Sequence, residues 1–171
     1  MFTIGHSTRT LAEFVSLLQE NQITRVIDIR TVPKSRHVPQ FNKETLPEEL
    51  KASGIGYSHM TGLGGLRHST KESPNLGWRN KSFRGFADYM QTEEFEVNLR
   101  NLIQLAESER VVLMCAEAVP WRCHRSLIAD ALVVRGIRVV HIMGPKNVLP
   151  HSLTPFAKVE GTRITYPPEN L

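Results

Sequence analysis

Cysteine is scarce in this chain of 171 residues: there are two, Cys115 and Cys123. Two cannot make a disulfide framework, and a chain of this length buries a core without staples. Long apolar runs are also missing, and nothing approaches the ~20 apolar residues of a membrane-crossing helix. Met1-Phe2-Thr3-Ile4-Gly5 has no signal-peptide pattern and reads as a strand. No internal repeat or low-complexity tract interrupts the chain. These absences exclude a stapled secreted scaffold, a membrane-spanning protein and a repeat array. They predict a reduced, cytoplasmic protein with no membrane partner, formed as a single domain over residues 1–171.

Acidic residues are absent where the loops are longest. Between Arg30 and Lys43 lie Arg30, Lys34, Arg36, His37 and Lys43 with no acid. A second stretch holds Arg67, His68, Lys71, Arg79, Lys81 and Arg84 against Glu72 alone. The acids fall instead in helical patterns around Glu44–Glu49 and Glu93–Glu109. The basic stretches coincide with the connections Thr31–Lys43 and Thr61–Ser82, the second carrying GLGG and a lone Trp78. Connections this long often carry function, and clustered Lys and Arg favour anions. Residues 61–82 are therefore expected to form a functional loop or lid. Phosphate-bearing small molecules or nucleic acid are the expected partners.

What is present is an alternation of short apolar runs with helical periodicity. Phe2–Gly5, Val26–Ile29, Tyr57–Met60, Val111–Met114 and Arg138–Met143 read as strands, with Ile164-Thr165-Tyr166 as an edge strand. Leu11, Phe14, Val15 and Leu18 line one face of a helix, with Thr10 and Glu13 at capping-box spacing. Further helices are read after Thr45, over Phe83–Met90 and Glu93–Ala106, and from Cys123 to a stop at Gly136. The tail 144–171, with Pro and Gly, is expected to pack on the domain. The fold class predicted is α/β: a mostly parallel sheet with helices on both faces and long polar loops at its carboxyl edge.

Ligands of such sheets gather beyond the carboxyl ends of the strands. That rule selects His6, Ser7 and Arg9, then Asp28 and Arg30, then His59, and finally Cys115, Glu117 and the turn to Arg125. Cys123, flanked by Arg122, His124 and Arg125 at a helix start, is expected to be the reactive thiol with a depressed pKa. Cys115, at a strand end, is expected to be inert lining. Glu117 and Asp28 are candidates for acid/base work or for holding arginines, His6 and His124 for proton transfer, and Arg30, Arg122 and Arg125 for an anion. Cys115 and Arg122 bracket six residues, one more than a cysteine-phosphatase loop requires. Asp28-Ile29-Arg30 is similar to the D-[VI]-R of rhodanese-like sulfurtransferases. Cys115, Cys123 and His124 lack the spacing of a structural zinc site, and no cofactor or oligomeric state is implied.

Taken together, several motifs resemble the family called domain of unknown function 488. They are Thr3-Ile4-Gly5-His6-Ser7 with Arg9, and Asp28-Ile29-Arg30 with Pro33, Ser35 and Pro39-Gln40-Phe41-Asn42-Lys43. Leu63-Gly64-Gly65, Gly85-Phe86, Tyr89-Met90, and Cys115-Ala116-Glu117 through Pro120 to Cys123-His124-Arg125 complete them. The resemblance implies a single α/β domain whose motif residues cluster; it implies no particular reaction. Ser7, Arg9, Ser35 and Arg67 join the binding candidates. Three functions remain: an enzyme acting on a phosphate-bearing substrate such as a nucleotide or nucleic acid, a non-catalytic nucleotide or nucleic-acid module, and sulfur transfer or redox sensing through Cys123.

Overall fold

The computed structural model describes residues 1–169. Five strands, β1 (Phe2–Gly5), β2 (Arg25–Asp28), β3 (Gly56–His59), β4 (Val111–Cys115) and β5 (Val140–Gly144), are mutually parallel. A sixth, β6 (Asn147–Pro150), pairs antiparallel with β5, giving the order β3-β2-β4-β1-β5-β6. Helices α1 (Leu11–Glu20), α2 (Leu46–Lys51), α3 (Lys81–Tyr89), α4 (Glu93–Ser108) and α5 (Arg125–Val133) cover the sheet. The protein is a mostly parallel α/β domain.

The central strand shows why both faces must be covered. All five residues of β4 are buried, and because side chains alternate along a strand they feed two separate cores. Val112 and Met114 pack with Phe14, Leu17 and Leu18 of α1 and Leu46 and Leu50 of α2. Val111, Leu113 and Cys115 pack with Phe86 of α3, Leu99 and Leu102 of α4, and Leu127 and Leu132 of α5. Each such buried side chain contributes about 1.5–3 kcal/mol. Helix α1 starts where its cap directs: Glu13 N–H donates to Thr10 Oγ1 at 3.1 Å, and Glu13 Oε1 accepts from Thr10 N–H at 3.4 Å.

This two-faced winding locates the site. After β1 the chain leaves to the α1 face, and after the neighbouring β4 it leaves to the α5 face. The adjacent carboxyl ends therefore open a crevice between diverging connections. Register keeps those ends level, with Gly5 opposite Cys115 and Asp28 opposite Met114 and His59.

The tail differs from expectation. Arg163–Thr165 (β8) is no edge of the main sheet; it pairs with Lys158–Glu160 (β7) in a separate ribbon. The edge position belongs to β6, a strand the sequence reading passed over. Tyr166 is buried with its hydroxyl on Asp130 Oδ2 at 2.8 Å, fastening this part of the tail to α5. Tail residues 170 and 171 lie outside the described residues. Among the described residues, no helix is long and apolar enough to cross a membrane.

Candidate functional site

The site is built by the chain leaving β4. Residues 116–119 fold back over the end of β1, with His6 N–H donating to Cys115 O at 2.9 Å and Ser7 N–H to Ala116 O at 3.0 Å. A Cβ on Gly5 would stand 1.6 Å from Glu117 O, so this approach requires glycine there. A 3-10 turn over Pro120–Arg122 then returns the chain to Cys123, and α5 begins two residues later. Arg125 N–H, one of the orphan donors of that helix start, points at Cys123 Sγ at 3.5 Å.

The two cysteines thus line one cleft of about 270 Å³. Ala116, Glu117, Arg122 and His124 complete its near side; Arg30, Thr31, Gly65, Leu66, Ser82 and Phe83 form the far side. Gly65 is needed for contact, since a Cβ there would meet His124 Nδ1 at 2.5 Å. Glu117 and Arg122 are exposed at the rim, whereas both thiols are buried.

The cysteines titrate as one unit. Burial opposes a thiolate on Cys115, but its hydrogen bond from Cys123 and the charge of Arg125 outweigh this and pull its pKa below the ordinary value. The same hydrogen bond, with burial, pushes Cys123 well up. The pair therefore loses its protons in two separate steps. This reverses the expected order. The strand-end thiol is drawn down by Cys123 and Arg125, and the helix-start thiol is pushed up by Cys115 and burial.

Arg125 explains the bias. It is fully buried, and its Nη2 donates to Ala118 O at 3.1 Å while Nε and Nη1 have no partner. Among the described residues no carboxylate lies within ion-pair distance of it. Guanidinium does not deprotonate in proteins, so a permanent charge sits below the cleft floor rather than on its wall. His124 is neutral: burial lowers its pKa to about 4. Its Nε2–H donates to Leu63 O at 2.9 Å, leaving Nδ1 as an acceptor 3.5 Å from Cys123 Sγ.

The remaining sequence candidates divide sharply. Asp28, expected as an acid or base, is fully buried and accepts from Arg30 Nε at 2.9 Å, Arg30 Nη2 at 2.7 Å and the Tyr57 hydroxyl. It fixes Arg30 and has no route to a proton in the cleft. His6 donates from Nδ1 to Ser7 O at 2.9 Å, accepts from Arg30 Nη1 at 3.2 Å, and stacks on Phe41. Burial holds its pKa down, aided by Arg30 against the Ser7 bond. It too positions Arg30. His59 donates to Arg30 O at 2.7 Å.

Ser7 lies behind the site with a strained φ of 48°. Arg9 reaches the carbonyl of Met143, and Ser35 Oγ accepts two backbone N–H groups within its own loop. Arg67 lies over the Tyr89 ring at 3.6 Å and donates to Gly64 and Thr61 carbonyls. None of these four lines the cleft. Residues 61–82 are tied to the domain at several points. Asp88 of α3 ties Thr70, Ser73 and Asn75, and Trp78 packs among Phe83, Phe156 and Tyr166. Only Gly65, Leu66 and Ser82 of that segment reach the cleft.

Sequence reasoning missed a second buried polar cluster. Thr3 donates to His141 Nδ1, His141 Nε2–H to His151 Nδ1 at 2.8 Å, and His151 Nε2–H to Asp130 Oδ1 at 2.7 Å. His141 lies inside β5, and nothing local in the sequence signals a partner ten residues on. Among the described residues, no group of three or more His, Cys, Asp or Glu could hold a metal ion.

Fold and site define a doubly wound α/β domain with a cysteine pair in its strand-end cleft. A family model described as Domain of unknown function DUF488 matches residues 10–132, and the chain belongs to that family. The match spans Asp28, Arg30 and the whole of Cys115–Arg125. No curated protein and no solved structure matches.

Proposed function

We propose that the cleft is the active site of an enzyme that binds a phosphate-bearing substrate, such as a nucleotide, and attacks it with a cysteine thiolate. The observation that carries this reading is the thiol pair set between Arg30, Arg122 and the buried charge of Arg125. Arg122 and the N-terminus of α5 hold the anionic group. Arg30, immobilised by Asp28 and His6, fixes the far wall. Cys115 supplies the nucleophile, and Glu117 is the rim residue free for proton transfer. Free cysteines side by side fit a reducing compartment, supporting a cytoplasmic setting.

Titration of inorganic phosphate and of adenosine monophosphate, at low and high salt, tests the binding. Arg122→Ala should weaken both by about tenfold, the size of one charge-assisted hydrogen bond. Cys115→Ser should keep binding but abolish release of phosphate from an activated aryl phosphate. Absence of binding to either anion at low ionic strength would sink the proposal.

The basic loops favour a second reading, a nucleic-acid-binding module. Lys34, Arg36, Lys71, Arg79 and Lys81 are exposed, whereas Arg67 and Arg84 are held on backbone carbonyls. Neutralising Lys34, Arg36 and Lys71 together should then weaken single-strand binding and flatten its salt dependence. Cys115→Ser should leave that binding intact.

A further inference from the structure

We propose that Cys115 and Cys123 form a dithiol–disulfide couple, an oxidative modification site that closes inside the cleft when the pair meets a hydroperoxide. This goes beyond phosphate binding and does not depend on it.

Four features of the geometry support the couple. Both sulfurs are free and line one cleft, so a small oxidant entering it meets the pair. The turn Pro120–Arg122 brings the end of β4 back beside the start of α5, so the two cysteines stand in one core cluster and line the same cleft. Arg125, buried and lacking a carboxylate, favours negative charge on the sulfur in front of it. His124 Nδ1, its other nitrogen locked on Leu63 O, is an acceptor 3.5 Å from Cys123 Sγ and orients that thiol.

The chemistry follows from those positions. The Cys115 thiolate attacks the near oxygen of the hydroperoxide: an S–O bond forms, the O–O bond breaks, and the departing oxyanion takes a proton from water. Cys123 then attacks Cys115 sulfur: the S–S bond forms, the S–O bond breaks, and the departing hydroxide takes the Cys123 proton and leaves as water. The dithiol loses two electrons and the peroxide gains them. A neighbouring resolving thiol is what keeps a sulfenic acid from further oxidation. Closure removes the thiolate and leaves Arg125 without a counter-charge, which makes the disulfide easy to reduce.

The test uses the intact protein and near-stoichiometric hydrogen peroxide. Both free thiols should disappear, the intact mass should fall by two hydrogens, and dithiothreitol should reverse the change. Trypsin cuts after Arg110, Arg122 and Arg125, so the product should be Val111–Arg122 linked to Cys123–Arg125. Cys123→Ser should stop at a dimedone-trappable sulfenic acid on Cys115. Cys115→Ser should oxidise more slowly than the wild type, because the thiol that remains is the one held protonated. Linkage only between separate molecules, direct sulfinic acid in the wild type, or wild-type speed in Cys115→Ser would each overturn the proposal. Should either variant fail to fold, the wild-type peptide map decides alone.

Discussion

Replacing Arg125 by Met should stabilise the fold, although Arg125 has one of the most deeply buried side chains. The structure supplies the arithmetic. The wild-type guanidinium makes one hydrogen bond, Nη2 to Ala118 O at 3.1 Å, worth about 1 kcal/mol. Nε and Nη1 are buried without partners, and each orphaned donor costs about 1–3 kcal/mol. Methionine keeps most of the stem volume and removes the charge, so the balance favours the variant by about 1–5 kcal/mol. That range overlaps what replacing other buried ionic groups by apolar ones gives. The gain should depend on pH. Cys115 has a depressed folded pKa, so its thiolate offsets the Arg125 charge at high pH and is protonated as pH falls. The variant's advantage should therefore be largest near pH 5 and smaller near pH 9. Urea unfolding at both pH values measures this, and alkylation at pH 7 should show the thiol pair reacting at least about tenfold more slowly. A loss of more than about 2 kcal/mol at pH 5, or unchanged alkylation, would mean that Arg125 has an anionic partner other than the thiols and would refute the reasoning.

Two further perturbations probe the scaffold. His124 and His141 are neutral in the fold, with pKa values lowered to about 4 and about 3, chiefly by burial. A depressed histidine pKa means the unfolded chain binds more protons, so stability is complete above the ordinary histidine value and lost as pH falls from there toward the folded values. At pH 5 the cost should be about 2 kcal/mol per histidine, read by denaturant midpoints between pH 7 and pH 4; a flat profile would contradict it. Asp130→Asn removes the charge and replaces one of the two oxygens that accept from His151 and from the Thr154 and Tyr166 hydroxyls by an amide donor, and should cost about 3–5 kcal/mol. Limited proteolysis should then cut within residues 151–166, and an uncut tail would count against the clamp.

The sheet was legible because its signals are local. Val111–Met114 is uniformly apolar since a central parallel strand is buried on both faces, and Thr10 with Glu13 marks the start of α1 within one turn of chain. Strand-end reasoning was also enough to bring Cys115, Glu117, Arg122, Cys123 and His124 to one cleft with Arg30. The edge strand Asn147–Pro150 was not legible: its residues are all exposed, so no apolar period announces it, and its pairing exists only because β5 stands next to it.

The site failed to be legible wherever a side chain's role depends on what another has already taken. Asp28 and Glu117 are equivalent in sequence, each a carboxylate beside a strand end. In space Asp28 is saturated by Arg30 and Tyr57, and Glu117 has no such neighbours. Arg30 and Arg125 likewise look interchangeable as anion holders, yet one has a carboxylate and the other has none. A buried cation without an anion is unfavourable unless something nearby becomes negative. Around Arg125 the groups able to do so are the two cysteines, and a single proton shared between them suffices. The reactivity ascribed to this cleft therefore rests less on which residues face it than on the one charge beneath it that the fold leaves unmatched.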